Sequence, residues 1–128
     1  MRVSNVLQDL LINIKNGQLV NKEFIYVLNN RLCLKFLQIL YQEGYIRHYS
    51  VCNSTKLKVW LKYYNYCPVI QNLSFYPVRR NPVSLNLSQL WKLDSDFKLL
   101  ILSTTKGFLS GKMSRKKKVG GILLCSIS

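Results

Sequence analysis

The chain has 128 residues, enough for one ordinary domain or two small ones sharing an interface. About half of it (48%) is hydrophobic, which excludes global disorder, and runs such as Leu99-Leu100-Ile101-Leu102 are too short to span a bilayer. Its net charge of +14, from 19 Lys and Arg against 5 Asp and Glu, repels itself and exceeds what solubility needs, so it points to a polyanionic partner.

The first predicted element is an amphipathic helix. Val6, Leu7, Leu10, Leu11 and Ile14 recur at helical spacing, with Gln8, Asp9, Asn13 and Lys15 on the other side. Asn5 is placed to cap its start and Asn16-Gly17 to end it. Tyr26 to Leu28 reads as a strand. A second helix is expected from about Arg31 to Gln42, with Leu32, Phe36, Leu37 and Leu40 as its apolar stripe, Asn30 as its cap and Gly44 as its stop.

Tyr45 to Val51 and Leu57 to Tyr63 read as two strands joined by an Asn53-Ser54-Thr55 loop. In the second strand Leu57, Val59, Leu61 and Tyr63 alternate with Lys58, Trp60, Lys62 and Tyr64. The aromatic face either stacks on bases or covers a neighbouring helix, the second being the commoner arrangement. Asn65 to Pro68 reads as a linker.

Past the linker the pattern turns to short strands. These are Val69 to Phe75, Leu85 to Leu87, the buried run Leu99 to Leu102, and Ile122 to Ile127 after Gly120-Gly121. A basic turn with Arg79-Arg80 lies between Pro77 and Pro82, a helical turn covers Ser88 to Leu93, and Ser110 to Lys118 is a polar helix or loop. The fold class is therefore α+β with two small subdomains. Residues 1–65 form helix, strand, helix and hairpin; residues 66–128 are β-rich with a short helix.

The residue inventory bears on function. One histidine, His48, and five scattered acids offer no acid/base pair at readable spacing, and no phosphate-cradling or dinucleotide glycine motif occurs. Asp94 and Asp96 read as a solvated turn rather than a metal-binding pair. Cys33, Cys52, Cys67 and Cys125 lack zinc-knuckle spacing and are expected to be small core hydrophobes. Neither an enzyme, a metal site, a cofactor nor a small-molecule substrate is indicated.

The positive charge is concentrated in the second half. No acid lies between Gly44 and Leu93, and none follows Asp96, whereas Lys98, Lys106, Lys112, Arg115, Lys116, Lys117 and Lys118 do. Ser103-Thr104-Thr105-Lys106-Gly107 follows a buried strand. Its hydroxyls suit base edges and ribose 2′-hydroxyls, Lys106 suits a phosphate, and Gly107 permits close backbone approach. The same stretch also reads as an ordinary polar turn. The basic run Arg115 to Lys118 favours phosphate contact over a merely solvated face.

Two segments at the end of the chain resemble a known family. Ile101-Leu102-Ser103-Thr104-Thr105-Lys106-Gly107, followed by Val119-Gly120-Gly121-Ile122-Leu123-Leu124-Cys125, is similar to the close of small-subunit ribosomal protein eight, with its Ser-Thr-Ser-Lys-Gly loop and Gly-Gly-Glu strand. Nearer the start, Asn5 through Gly17 looks like that family's first helix. Glu43-Gly44-Tyr45-Ile46 looks like its Glu-Gly-Phe-Ile turn, and Leu57 through Tyr63 like its leucine-and-lysine strand. Thr105 stands for the second Ser, Ile122 for the Glu, and Val83 for the glycine of a Pro-Gly turn matched by Asn81-Pro82.

The resemblance implies a non-enzymatic protein that binds the central domain of small-subunit ribosomal RNA and touches neighbouring ribosomal proteins. RNA contacts are then expected at Ser103, Thr104, Thr105, Lys106, Gly107, Arg115, Lys116, Lys117, Lys118, Gly120 and Gly121. Arg79 and Arg80 join them, as do Lys15, Asn16 and Arg31 in the first half. The contrasting reading is a basic module docking on an acidic membrane or protein, but Ser110 to Lys118 lacks an amphipathic aromatic face. The chain has no alanine and shows no targeting segment, which suggests an A+T-biased organellar coding sequence. A mitochondrial ribosome is the first expectation, a plastid or a bacterial cytoplasm the alternative.

Overall fold

A computed structural model describes residues 3–76, 82–93 and 98–128. Contacts divide the chain into two compact units, Met1–Gln71 and Asn72–Ser128. The expected basic turn at Arg79-Arg80 and the acidic pair Asp94 and Asp96 lie outside the described residues. No helix among those described is long and apolar enough to cross a membrane.

The first unit packs two helices on one face of a three-stranded antiparallel sheet. Helix α1 (Val3–Leu19) buries Val6, Leu7, Leu10, Leu11 and Ile14, the stripe its periodicity predicts. Its ends differ from the expectation. The helix begins at Val3, so Asn5 lies inside it, and it runs past Gly17. Gly17 does not stop the helix; it lets the helix approach the sheet. A Cβ there would lie 2.7 Å from Ile25 Cγ2 and 3.0 Å from Leu61 Cδ1. The turn comes later, where Asn21 takes a left-handed φ of +57°. There the Asn21 and Lys22 amides donate to the Gln18 and Gly17 carbonyls at 3.1 and 3.0 Å.

Strand β1 (Phe24–Leu28) precedes helix α2 (Arg31–Gln42). Asn30 caps α2 as expected, its side chain accepting from the Cys33 amide at 2.8 Å. Gly44, at φ +82°, closes the other end. Its amide donates to the Tyr41 carbonyl, and that of Tyr45 to the Leu40 carbonyl. Leu32 is only half-buried, whereas Cys33, Phe36, Leu37, Ile39 and Leu40 form the packed stripe.

Strands β2 (Ile46–Val51) and β3 (Lys56–Leu61) complete the sheet in the order β1-β3-β2. Their loop is held by Asn53, whose side chain accepts from the Thr55 amide, the Thr55 hydroxyl and the Lys56 amide at 2.8–2.9 Å. Leu57, Val59 and Leu61 are buried beneath the helices with Ile25 and Val27. Tyr63 leaves that strand, and its hydroxyl donates to the Lys22 carbonyl at 2.6 Å. The segment expected as a linker is a hairpin of β4 (Tyr63–Tyr64) and β5 (Cys67–Pro68), turning through Asn65 and Tyr66 at left-handed φ of +51° and +66°. Both residues carry a Cβ in a conformation that favours glycine, which hid the turn from a reading of composition.

The second unit is built around one long strand. β10 (Gly121–Ile127) pairs on one edge with β8 (Leu99–Thr104), which pairs in turn with β9 (Gly107–Ser110). On its other edge β10 takes β6 (Leu73–Phe75) and β7 (Ser84–Leu85). β6 is shorter than the run from Val69, and β9 was not anticipated. Phe108-Leu109 offers only two apolar residues, and its strand character comes from pairing with the uninterrupted run Leu99 to Leu102. Helix α3 (Leu87–Leu93) is capped reciprocally. Asn86 Oδ1 accepts from the Gln89 amide at 2.8 Å, and Gln89 Oε1 accepts from the Asn86 amide at 3.0 Å. Leu85, Leu90, Leu100, Leu102 and Leu123 meet in the core.

The cysteines divide evenly. Cys33 and Cys125 are buried, as expected of small hydrophobes, while Cys52 and Cys67 are exposed. Burial pushes the Cys125 thiol up to about 12, against a smaller lowering by its hydrogen bond with the Ile101 backbone. It raises Cys33 too, with help from Asp9. Iodoacetamide should therefore label Cys52 and Cys67 in the native protein, and Cys33 and Cys125 only after unfolding. The folded state holds the Cys125 proton more tightly. That stability is complete below the ordinary thiol value of 9.0 and declines as pH rises toward about 12. Denaturant titrations over that range should show the decline, and Cys125→Ala should remove its share.

Candidate nucleic-acid interface

The β8–β9 hairpin presents the predicted hydroxyl loop. Thr104 faces Gly107 across the hairpin, and Thr105 and Lys106 form the exposed two-residue turn. Gly107 adopts φ +101°, and a Cβ there would meet nothing within 4 Å. The glycine is required by the backbone, and the space beside it is open. The three hydroxyls have different situations. Thr104 Oγ1 donates to the Gly107 carbonyl at 2.7 Å and accepts from the Lys106 amide at 3.1 Å, so it holds the turn together. The hydroxyls of half-buried Ser103 and exposed Thr105 make no hydrogen bond among the described residues.

β9 ends at Ser110, which caps helix α4 (Gly111–Lys117). Its buried hydroxyl accepts from the Met113 amide at 3.2 Å. Lys112, Lys116, Lys117 and Lys118 are exposed. Lys118 closes the helix at φ +56°, ψ +44°, a left-handed conformation that costs about 1–2 kcal/mol for a residue with a Cβ. Its amide donates to the Arg115 carbonyl and that of Val119 to the Ser114 carbonyl, at 3.2 and 3.1 Å. The strained residue thus sits within the basic run and turns the chain back toward the sheet.

Gly120 and Gly121 follow, and packing fixes both. A Cβ on Gly120 would stand 2.3 Å from the Leu85 carbonyl oxygen, and one on Gly121 would stand 2.4 Å from the Ser103 carbonyl oxygen. Only glycine lets the start of β10 pass between β7 and β8. Gly121 pairs with Thr104, and Ile122 lies between Ser103 and Ser84. The hairpin tip, Lys118 and the paired glycines are therefore brought to one end of the sheet. Ile122 presents a half-buried aliphatic side chain beside the Ser103 position.

Arg115 is not wholly given to solvent. Its guanidinium stacks 4.7 Å from the ring centre of Trp91 on α3. Trp91 is 59% exposed and carried no signal in the sequence, because the pair exists only once α3 and α4 are packed. The Asn-x-x-Gln spacing of α3's cap, by contrast, was readable. In the first unit Lys15 is half-buried on α1, and Asn16 and Arg31 are exposed. These three belong to the first unit, and the hairpin cluster belongs to the second.

The aromatic face of β3 also differs from the commoner expectation. The helices lie on the Leu57, Val59 and Leu61 side, so Trp60 covers no helix of that pair. Its ring lies 5.1 Å from that of His48, while Lys62 Nζ donates to the Gly44 carbonyl at 3.0 Å. Among the described residues no three His, Cys, Asp or Glu side chains are placed to hold a metal ion.

Comparison with known proteins bears on this arrangement. The family model described as Ribosomal protein S8 matches residues 5–128. Small ribosomal subunit protein uS8 of Buchnera aphidicola subsp. Baizongia pistaciae is 31% identical, covering 100% of both chains. That of Vesicomyosocius okutanii subsp. Calyptogena okutanii is 35% identical over 99% of each. Small ribosomal subunit protein uS8c of Tupiella akineta is 34% identical over 98% of each.

The close approach at the paired glycines yields a direct test. Gly121→Ala forces the Ser103 carbonyl to move, so it should destabilise the protein by roughly 2–4 kcal/mol in urea titrations, the upper part of the range for overpacking and beyond. A loss under about 0.5 kcal/mol would show that the strands give way freely.

Proposed function

The chain belongs to the ribosomal protein S8 family, and from that premise we propose that it binds the central domain of small-subunit ribosomal RNA and supports assembly of that domain. Family membership makes it a structural, non-enzymatic constituent of the small ribosomal subunit. The observation that carries the finer reading is the end of the second unit's sheet. There the hydroxyls of Ser103 and Thr105, without a hydrogen bond among the described residues, lie beside an exposed turn with Lys106 and open space at Gly107. Such hydroxyls suit 2′-hydroxyls and base edges in a shallow RNA minor groove, and the neighbouring ammonium groups suit the phosphates flanking it.

Lys116, Lys117 and Lys118 supply further phosphate contacts, and Arg115, held over Trp91, a fixed one. Gly120 and Gly121 act by letting this end of the sheet close up. Lys15, Asn16 and Arg31 are proposed as positioning contacts with RNA or with neighbouring ribosomal proteins. Arg79 and Arg80 add charge to the same partner. The absence of alanine in a chain of 128 residues supports a mitochondrial ribosome as its setting. Cosedimentation with mitochondrial rather than plastid or bacterial small subunits tests that assignment.

A titration against the matching central-domain hairpin, with a scrambled duplex of equal length as control, tests the RNA reading. Marked preference for the hairpin is expected; equal binding to both would reduce the protein to a generic polycation. Within that assay Thr105→Ala should weaken hairpin binding by about 1–2 kcal/mol, the scale of a lost hydrogen bond at a desolvated contact. An unchanged Kd would remove the turn from the interface. Replacing Lys116, Lys117 and Lys118 with Gln should lower the slope of log K against log salt by roughly 1 per lost phosphate contact, with little change in preference between RNAs.

A further inference from the structure

We propose that the outer face of the three-stranded sheet in the first unit is a second RNA site, which takes an unpaired, single-stranded segment by base stacking. One face of this sheet is closed by α1 and α2. The other carries a row of rings across all three strands, since Phe24 pairs with Trp60 and Trp60 with His48. Tyr26 stands beside Phe24, its ring centre 5.6 Å away, and is 49% exposed. His48 is exposed at the far strand. Adjacent strands lie about 4.8 Å apart, so the row spans about 10 Å, room for two or three stacked bases.

The cations on this face are already placed among the rings. Lys58 Nζ lies 4.0 Å from the Phe24 ring centre and 4.9 Å from that of Trp60, and Lys56 Nζ lies 5.8 Å from that of Tyr26. Strands β1, β2 and β3 contain no acidic residue at all. A surface of π-faces edged by ammonium groups matches a ligand whose flat bases and phosphates alternate, and that is a single strand. A duplex hides its base faces and would meet only the lysines. A second copy of this chain would oppose like charge to like charge. An acidic protein would satisfy the lysines but leave the row of rings without a counterpart.

The ring row is made by residues of the first unit and the hydroxyl hairpin by residues of the second, so each can be substituted without changing the residues of the other. The test uses the full chain with a labelled uridine-rich 12-nucleotide RNA, an equally long duplex and an oligoglutamate peptide. Anisotropy titrations should show the single strand bound more tightly than the duplex. Trp60→Leu and the half-exposed Tyr26→Ser should each weaken single-strand binding at least tenfold, with far-UV circular dichroism unchanged and central-domain hairpin affinity kept within twofold. Cross-linking with 4-thiouridine RNA should map to β1 and β3. Three results would each overturn the proposal: cross-links confined to residues 103–121, single-strand affinity that survives both substitutions, or displacement of the RNA by oligoglutamate at matched charge. The last would identify the face as a dock for an acidic protein.

Discussion

The second unit depends on a single steric constraint, the passage of Gly120 and Gly121 between two neighbouring strands. The Leu85 and Ser103 carbonyl oxygens stand where Cβ atoms would otherwise be. Because β10 can start there, its remaining residues pair with β8 on one edge and β6 on the other, and Leu123, Leu124, Cys125 and Ile127 are buried. The same constraint sets the surface. Gly121 opposite Thr104 holds the tip of the β8–β9 hairpin against the chain leaving α4. Lys118 reaches this junction only by accepting a left-handed backbone, so strain and charge coincide at one residue. Strain of that kind persists where the surrounding structure over-determines it.

A similar economy of backbone appears at the helix ends. α1, α2 and α4 all finish on a left-handed residue, respectively Asn21, Gly44 and Lys118, with paired amide-to-carbonyl bonds closing the last turn. Only one of the three is glycine. Asn tolerates the conformation through its short polar side chain, and Lys does so at a cost that the paired hydrogen bonds and the Gly120-Gly121 junction offset.

Those choices explain which parts of the fold were legible in the sequence. The apolar stripe of α1, that of α2 apart from Leu32, the Asn30 cap, the alternation through Leu57, Val59 and Leu61, and the buried run of β8 are local patterns that the structure keeps. The misplaced boundaries share a cause. Gly17 looks like a helix stop, but its lack of a side chain serves a contact with Ile25 and Leu61, distant in sequence. At Tyr66 and Lys118 the positive φ falls on residues that seldom adopt it, so no glycine marked either turn. For the hydroxyl loop, spacing located the residues but could not divide their labour. Thr104 is taken up by the turn, whereas Ser103 and Thr105 make no hydroxyl hydrogen bond among the described residues. The Arg115–Trp91 stack and the ring row over β1, β3 and β2 required tertiary packing and strand register to be seen.

The charge imbalance gives these stacks a common meaning. With 19 cations and 5 acids, most lysines and arginines have no carboxylate to pair with. Aromatic faces take that place. Lys58 lies over Phe24 and Trp60, Lys56 over Tyr26, and Arg115 over Trp91. Each such contact contributes about 0.5–1 kcal/mol at an exposed site, comparable with a surface ion pair, and brings no negative charge to the surface. The protein can therefore order its cations without weakening its attraction for a polyanion. When phosphate arrives, an ammonium group can pivot to it along a flexible stem, while the ring it leaves keeps an open π-face. The Arg115 guanidinium, 4.7 Å from the Trp91 ring centre, is likewise placed against an aromatic face rather than a carboxylate. The same charge that makes +14 unfavourable for an isolated chain is thus held in place, through the arrangement of its rings, without being neutralised.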